Sequence, residues 1–201
     1  VTLLCATTNP GKLREFALAG REFGVDIRPL PHLRDLPACE ETGVTFEENA
    51  VLKAKYYGAQ TAGLLFAEDS GLEVDALGGA PGVRSARFAG ANASDRQNND
   101  LLLERMEGRR NRAARFVAVA ALADGGRLVR TFRGAVEGLI LEQPRGGEGF
   151  GYDPLFYYPA FGCSFGEVPR ERKLTVSHRG QALRALLAWV CNTCTKGGID
   201  Q

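Results

Sequence analysis

The sequence predicts an α/β fold: a mixed, partly antiparallel twisted sheet with flanking helices. Short apolar runs ending in polar turns alternate with stretches of helical spacing. A late pair of apolar runs, Phe116 to Ala123 and Arg127 to Leu141, is joined by Asp124-Gly125-Gly126, a hairpin turn that makes part of the sheet antiparallel. No repeat or long linker interrupts the pattern in these 201 residues, so 1–195 reads as one domain with a substantial core and 196–201 as a frayed tail.

Val1 to Ala6 is the first strand candidate, and Thr7-Thr8-Asn9-Pro10-Gly11-Lys12 turns from it into a helix whose apolar positions continue to Phe23. Such a turn offers backbone N–H groups, hydroxyls, a helix N-terminus and a lysine to a phosphate, although a plain capped turn uses the same residues. It is not a Walker A loop, because the leading glycine is missing and Leu13 stands where Ser or Thr should follow the lysine. Val25 to Leu30 suits a second short strand. The prolines from Pro29 to Pro37 then hold an extended loop ending at Cys39-Glu40-Glu41-Thr42-Gly43. Thr45 and Glu48 match a capping box, predicting a helix from about Phe46 to Thr61 with Asn49 and Lys53 on one face. Lys53 is either a cation brought toward neighbouring acids or a solvated lysine.

Leu65-Phe66-Ala67-Glu68-Asp69-Ser70-Gly71-Leu72 reads as a buried strand that delivers carboxylates to its exposed end, where Ser70-Gly71 turns the chain. Asp69 is the first candidate for the chemistry, and an acidic turn in solvent is the plain alternative. Leu72 to Leu77 alternates as a further short strand, Gly78-Gly79-Ala80-Pro81-Gly82 breaks it, and Val83 to Gly90 reads as basic and irregular. Ser94-Asp95-Arg96-Gln97 is another capping box, opening a helix to about Met106. The glycines from Gly146 to Gly151 imitate a dinucleotide fingerprint, but Tyr152-Asp153-Pro154 stands where a helix should begin, which excludes a Rossmann site. Phe150 and Tyr152 suit an aromatic platform for a planar ligand, or ordinary core anchors. Ser177 can cap a last helix with the stripe Leu183, Leu186, Leu187 and Val190. Its first turn holds His178 and Arg179, a position favouring an anion or a polar ligand edge.

With 25 basic against 24 acidic residues the net charge is +1, which argues against a nucleic acid or membrane surface as partner. Five scattered cysteines make a poor disulfide framework, so a reducing cytoplasm is the expected home; Cys191-x-x-Cys194 lacks the second pair a structural zinc would need. No run approaches the ~18 apolar residues of a membrane span, and the N-terminus has no signal-peptide pattern.

Six blocks in register carry a resemblance along nearly the whole chain. They are Thr7 to Lys12; Glu40-Glu41-Thr42-Gly43 with Phe46-x-x-Asn49-Ala50-x-x-Lys53-Ala54; Asp69-Ser70-Gly71-Leu72; Gly78 to Gly82; Phe150-Gly151-Tyr152-Asp153-Pro154; and Ser177-His178-Arg179-Gly180. Together they resemble the inosine triphosphate pyrophosphatase family, bacterial type. The resemblance implies a mixed sheet folded into two lobes around a central cleft, usually as a homodimer. It implies hydrolysis of ITP, dITP and XTP to the monophosphate and pyrophosphate with Mg²⁺. It assigns Thr7, Thr8, Asn9, Pro10, Gly11, Lys12 and Lys53 to the triphosphate, Glu40 and Asp69 to the metal, and Asp69 also to the catalytic base. Ser70 lies beside the substrate in this scheme, and Phe150, Gly151, Tyr152, Asp153, Lys173, His178 and Arg179 match nucleotide and base contacts. Two positions depart from the pattern: Thr8 replaces a frequent glycine, and Glu68 replaces the first acid of Asp-Asp-Ser-Gly.

The chemistry agrees with the residue set. Glu40 and Asp69 are hard oxygen donors suited to Mg²⁺, a carboxylate can take a proton from an attacking water, and Lys12 and Lys53 place positive charge on the leaving side. An arginine only donates, so Arg179 aimed at the 6-oxo group of a purine stacked on Phe150 would favour ITP over ATP. A nucleotide sensor without turnover, or a nucleic-acid regulator using the Arg-rich stretch 84–115, would be separated from the enzyme by pyrophosphate release and by salt-dependent DNA binding.

Overall fold

In the computed structural model, which describes residues 2–194, each apolar run becomes a strand and each helical spacing a helix. The order is β1 (Thr2–Cys5), α1 (Pro10–Phe23), β2 (Asp26–Pro29), α2 (Phe46–Gly58), β3 (Leu64–Val74), α3 (Asp95–Arg105), β4 (Ala113–Asp124) and β5 (Arg127–Ile140). There follow β6 (Phe156–Tyr158), β7 (Cys163–Ser164), α4 (Arg170–Val176) and α5 (His178–Cys194). The tail at 196–201 lies outside the described residues.

Among the described residues the strands form one seven-stranded sheet in the order β2-β1-β3-β4-β5-β6-β7. β1 pairs in parallel with β2 and with β3, because helical crossovers separate them; β5-β6 and β6-β7 pair antiparallel. The β4-β5 connection is the expected tight hairpin, with Gly125 and Gly126 at φ 54° and 83°, values a side chain would resist. Its tip lies on the end of α2: a Cβ on Gly126 would come within 3.0 Å of the Ala59 Cβ, and one on Gly58 within 3.2 Å of the Gly126 nitrogen.

The chain divides into two compact units, and β3, β4 and β5 each begin in one and end in the other. Val1–Asp69, Ala118–Gly134 and Arg179–Gln201 make the first. Its interior holds Leu3, Phe66, Val119 and Leu186, with the Phe16 and Phe66 rings 5.0 Å apart, so the apolar faces of α1 and α5 are buried with the strand residues. Ser70–Val117 and Ala135–His178 make the second, whose core is Leu72, Leu102, Ile140 and Leu155 with a group of rings. Phe116 lies 4.5 Å from Phe156, and Phe156 lies 5.1 Å from Phe165.

Three local expectations are corrected. Ser70-Gly71 does not turn the chain, and the separate strand expected from Leu72 is the second half of β3. Gly71 is there for close packing: a Cβ would collide with the Ser85 hydroxyl and stand 2.7 Å from the Gly82 carbonyl oxygen, and the same hydroxyl accepts the Leu72 N–H at 2.8 Å. The basic segment expected to be irregular contains a 3₁₀ turn over Gly82–Arg87, in which the Ser85 hydroxyl donates to the Gly82 carbonyl at 2.6 Å. α2 ends at Gly58, before Thr61. α4 was not anticipated, because Arg170-Glu171-Arg172-Lys173 shows no apolar stripe. Ser177, extended at φ −67° and ψ 156°, separates it from α5.

Candidate active site

The residues singled out in the sequence fall into two groups, one in each unit. In the first unit the turn after β1 is a capped helix start. The Asn9 side chain accepts the Lys12 N–H at 3.0 Å, the Thr7 hydroxyl accepts the Asn9 N–H at 3.2 Å, and Pro10 takes the first helical position, where its missing N–H costs nothing. No acid occupies the first turn, so the positive end of the α1 dipole faces no fixed negative charge from its own helix. Thr8, Asn9 and Pro10 are exposed and Gly11 is buried.

Lys12 turns inward from this loop. Its ammonium lies 2.6 Å from Glu68, whose other oxygen accepts from Arg179 Nε at 3.1 Å, while Arg179 Nη1 donates to Glu15 at 2.6 Å. Glu15, Glu68 and Arg179 are all buried. Burial pulls the Lys12 pKa below its ordinary value, with Glu68 opposing. The sequence reading points Arg179 at a base edge; the structure commits two of its donors to carboxylates, because two buried acids in an apolar interior demand a counter-charge.

α2 delivers a second ion-paired set. Glu48 accepts the Val44 N–H at 2.7 Å and Thr45 accepts the Glu48 N–H at 3.1 Å, which fixes the helix start and with it the face carrying Asn49 and Lys53. Lys53 is not solvated: its ammonium reaches Asp69 at 2.8 Å and Glu41 at 3.3 Å. The Asn49 carbonyl accepts the Gly43 N–H at 2.8 Å, which turns its amide donor to the other Asp69 oxygen at 3.5 Å. Burial raises the Asp69 pKa above the usual carboxylate range, and Lys53 counters this without cancelling it. Burial alone would lower the Lys53 pKa, but Asp69 and Glu41 outweigh it and hold the ammonium above its ordinary value. Lys53→Met is therefore expected to move the Asp69 titration midpoint further up in the metal-free protein, read from the carboxyl ¹³C shift. A midpoint that stays in place would remove Lys53 from the role of counter-charge.

Of the acids before α2, Glu41 joins this cluster, whereas Glu40 is exposed and makes no ion pair with Lys53. Among the described residues no three acidic, histidine or cysteine side chains form a ready-made metal cage. The donor set still fits a hard divalent cation bound mostly by substrate and water. Glu15, Glu41, Glu68 and Asp69 outnumber Lys12, Lys53 and Arg179, which leaves net negative charge before Glu40 is counted.

The second unit holds the aromatic loop. One Asp153 oxygen accepts the Phe150 N–H at 2.9 Å and the Lys173 ammonium at 2.6 Å, and Gly149, at φ 76°, has no Cβ to collide with it. Lys173 also lies 5.0 Å from the centre of the half-buried Phe150 ring, a cation–π contact. Gly151 donates to Asp95 at 2.7 Å, and its carbonyl accepts from Asn99 at 2.9 Å. Tyr152 is a core anchor and not a platform: it is buried, and its hydroxyl donates to the Ser85 carbonyl at 2.8 Å. His178 is buried and stacks on Phe116 at 4.7 Å, and Ser70 is half-buried.

Lys173→Met would leave Asp153 charged and buried without its cation. The expected cost is about 3–5 kcal/mol of stability in denaturant unfolding, together with faster hydrogen exchange at the Phe150 amide. Unchanged exchange there would show that the loop does not depend on the pair. Sequence reasoning missed Glu15, Asp95 and Asn99. Glu15 had a signal, an acid directly beside Phe16 in the apolar pattern of α1; the others had none beyond their position near a cap or loop.

A family model described as the Ham1 family matches residues 3–189. A protein of Exiguobacterium sp. named dITP/XTP pyrophosphatase is 50% identical over 186 residues, covering 92% of this chain and 95% of that protein. One of the same name from Acidobacterium capsulatum is 49% identical over 197 residues, covering 94% and 97%. The solved structure of a HAM1 protein from Coxiella burnetii, 38% identical, matches with a TM-score of 0.85 over 96% of this chain and 99% of that one.

Proposed function

Since this chain belongs to the Ham1 family, we propose that it acts as a nucleoside triphosphate pyrophosphatase on noncanonical purine nucleotides. It hydrolyses ITP, dITP and XTP to the nucleoside monophosphate and pyrophosphate, clearing them from the nucleotide pool. The observation that carries the chemical reading is the buried Asp69 carboxylate held by Lys53 in the same unit as an acid-free helix N-terminus.

In this reading the α1 start, with Thr7, Thr8, Asn9, Pro10, Gly11 and Lys12, binds the triphosphate through backbone N–H groups and the lysine, and Lys53 shares that charge. Asp69 takes the proton of the attacking water. A raised pKa makes it a stronger base than an ordinary carboxylate, and Lys53 and Asn49 keep it oriented. Glu40 and Asp69 would hold Mg²⁺, which when bound supplies positive charge to the polyphosphate and makes nearby water more acidic. Phe150 stacks on the purine, with Gly151, Asp153 and Lys173 setting its position and Tyr152 anchoring the loop from the core, and Ser70 and His178 complete the nucleotide contacts. Arg179 would meet a substrate oxygen with donors other than the two it gives to Glu15 and Glu68. A homodimer is proposed on the resemblance alone. A cytoplasmic setting is supported by the free thiols of Cys5, Cys39, Cys163 and Cys191.

A panel of ITP, dITP, XTP, ATP and GTP, assayed for monophosphate and pyrophosphate with and without chelator, tests this. Pyrophosphate release from the first three that disappears with chelator is expected. Orthophosphate as the product, or ATP turned over as fast as ITP, would overturn the reading.

A further inference from the structure

The Arg-rich stretch between residues 84 and 115 has no part in the proposed reaction, and the second unit shows which of its arginines the fold uses. Arg112 donates to the carbonyls of Ile140, Met106 and Leu141 at 2.8, 3.1 and 2.7 Å. Arg115 lies among Glu73, Asp75 and Glu137 at 3.7, 3.0 and 2.9 Å. Arg96 has Asp100 within 3.8 Å. By contrast the side chains of Arg84, Arg105 and Arg109 have no ion-pair or hydrogen-bond partner among the described residues.

All three line one groove of about 590 Å³, within the range of roughly 300–1,000 Å³ usual for small-molecule sites. Arg84 comes from the 3₁₀ turn, Arg105 from the last turn of α3 and Arg109 from the segment after it. The remaining wall is apolar, with Leu77, Pro81, Phe88 and Leu101, and no acidic residue lines it. Three like charges converging on an apolar floor without a carboxylate repel one another, so an anion that also fills the floor is the complementary occupant.

We propose that this groove binds a phosphomonoester carried on a planar apolar ring, at a site separate from the residues assigned to hydrolysis. The guanidinium groups take the phosphate, for which their planar fork is suited, and Phe88 with Leu77 and Leu101 takes the ring.

The probe is 1-naphthyl phosphate, titrated calorimetrically into the full chain at low and moderate salt, with 1-naphthol and inorganic phosphate as the two halves of the ligand. Saturable binding is expected, weaker by about tenfold or more for either half alone, weakened by salt, and not displaced by saturating inosine monophosphate. The exposed pair Arg105→Gln with Arg109→Gln should weaken the probe by about tenfold or more while ITP turnover stays at the wild-type rate. Absence of saturable binding, displacement by inosine monophosphate, or affinity unchanged in the double variant would each overturn the proposal. So would a concentration-dependent dimer that excludes the probe, since the groove would then be a contact between copies of the chain.

Discussion

Asp69→Asn is expected to fold normally and bind nucleotide, yet to lose turnover of ITP by ~10²–10⁴-fold or more. The amide is nearly the same size and its oxygen can still accept from the Lys53 ammonium, now 2.8 Å from the Asp69 carboxylate, so the local geometry has reason to persist. Lys53 also keeps Glu41 at 3.3 Å, which limits the electrostatic cost of the lost charge. A neutral amide cannot take a proton and is a poorer ligand for a hard cation, so kcat falls and the demand for Mg²⁺ rises together. Steady-state kinetics across a magnesium titration separate the two effects. A kcat close to wild type at any magnesium concentration would end the assignment of Asp69 as base.

Arg179→Ala is expected to produce a loss of stability as large as that of Lys173→Met. Glu15 and Glu68 are buried, and each has Arg179 within hydrogen-bond distance, at 2.6 and 3.1 Å. Removing the cation takes the guanidinium from buried Glu15 and leaves Glu68 with the Lys12 ammonium at 2.6 Å, for which about 3–5 kcal/mol is the expected penalty. In a chain of this length that corresponds to a fall in Tm on the order of 10 °C. Adding Glu15→Gln to the variant should recover part of the loss, because the two residues are directly coupled. A drop in Tm within a degree or two of wild type would mean that the acids are not dependent on Arg179. Kinetics on the surviving fraction test its remaining role: a steeper loss on ITP than on ATP marks a contact with the 6-oxo edge, and equal proportional losses mark a purely structural one.

The parts of the fold governed by near neighbours were readable in the sequence. Thr45 and Ser94 cap their helices as their spacing predicts, and Asp124-Gly125-Gly126 makes the hairpin. Asn49 and Lys53 share a face and both reach Asp69, because four residues along a helix is a local relation. Ser70-Gly71 failed because its turn signal is also local, while the reason for the glycine is a contact with Ser85 that only the folded chain supplies. The carboxylate partners of Arg179 were hidden for the same reason on a longer scale: Glu15 and Glu68 are 164 and 111 residues away. A helix start suggests an exposed ligand edge, but burial of an arginine is decided by which acids the tertiary fold brings to it. Tyr152 and Phe150, two positions apart on one loop, diverge because only the tyrosine finds a buried carbonyl for its hydroxyl.

Hairpin tips are ordinary places to graft an epitope or insert a tag, since little usually touches them. The tip at Gly125-Gly126 is an exception on one side: Gly125 faces open space, but a Cβ on Gly126 would stand 3.0 Å from Ala59 and one on Gly58 3.2 Å from Gly126. An insertion that swells the Gly126 side presses on the end of α2. Lys53 lies little more than one turn before that end, so the engineering tolerance of this hairpin is set by the position of an ammonium group beside Asp69.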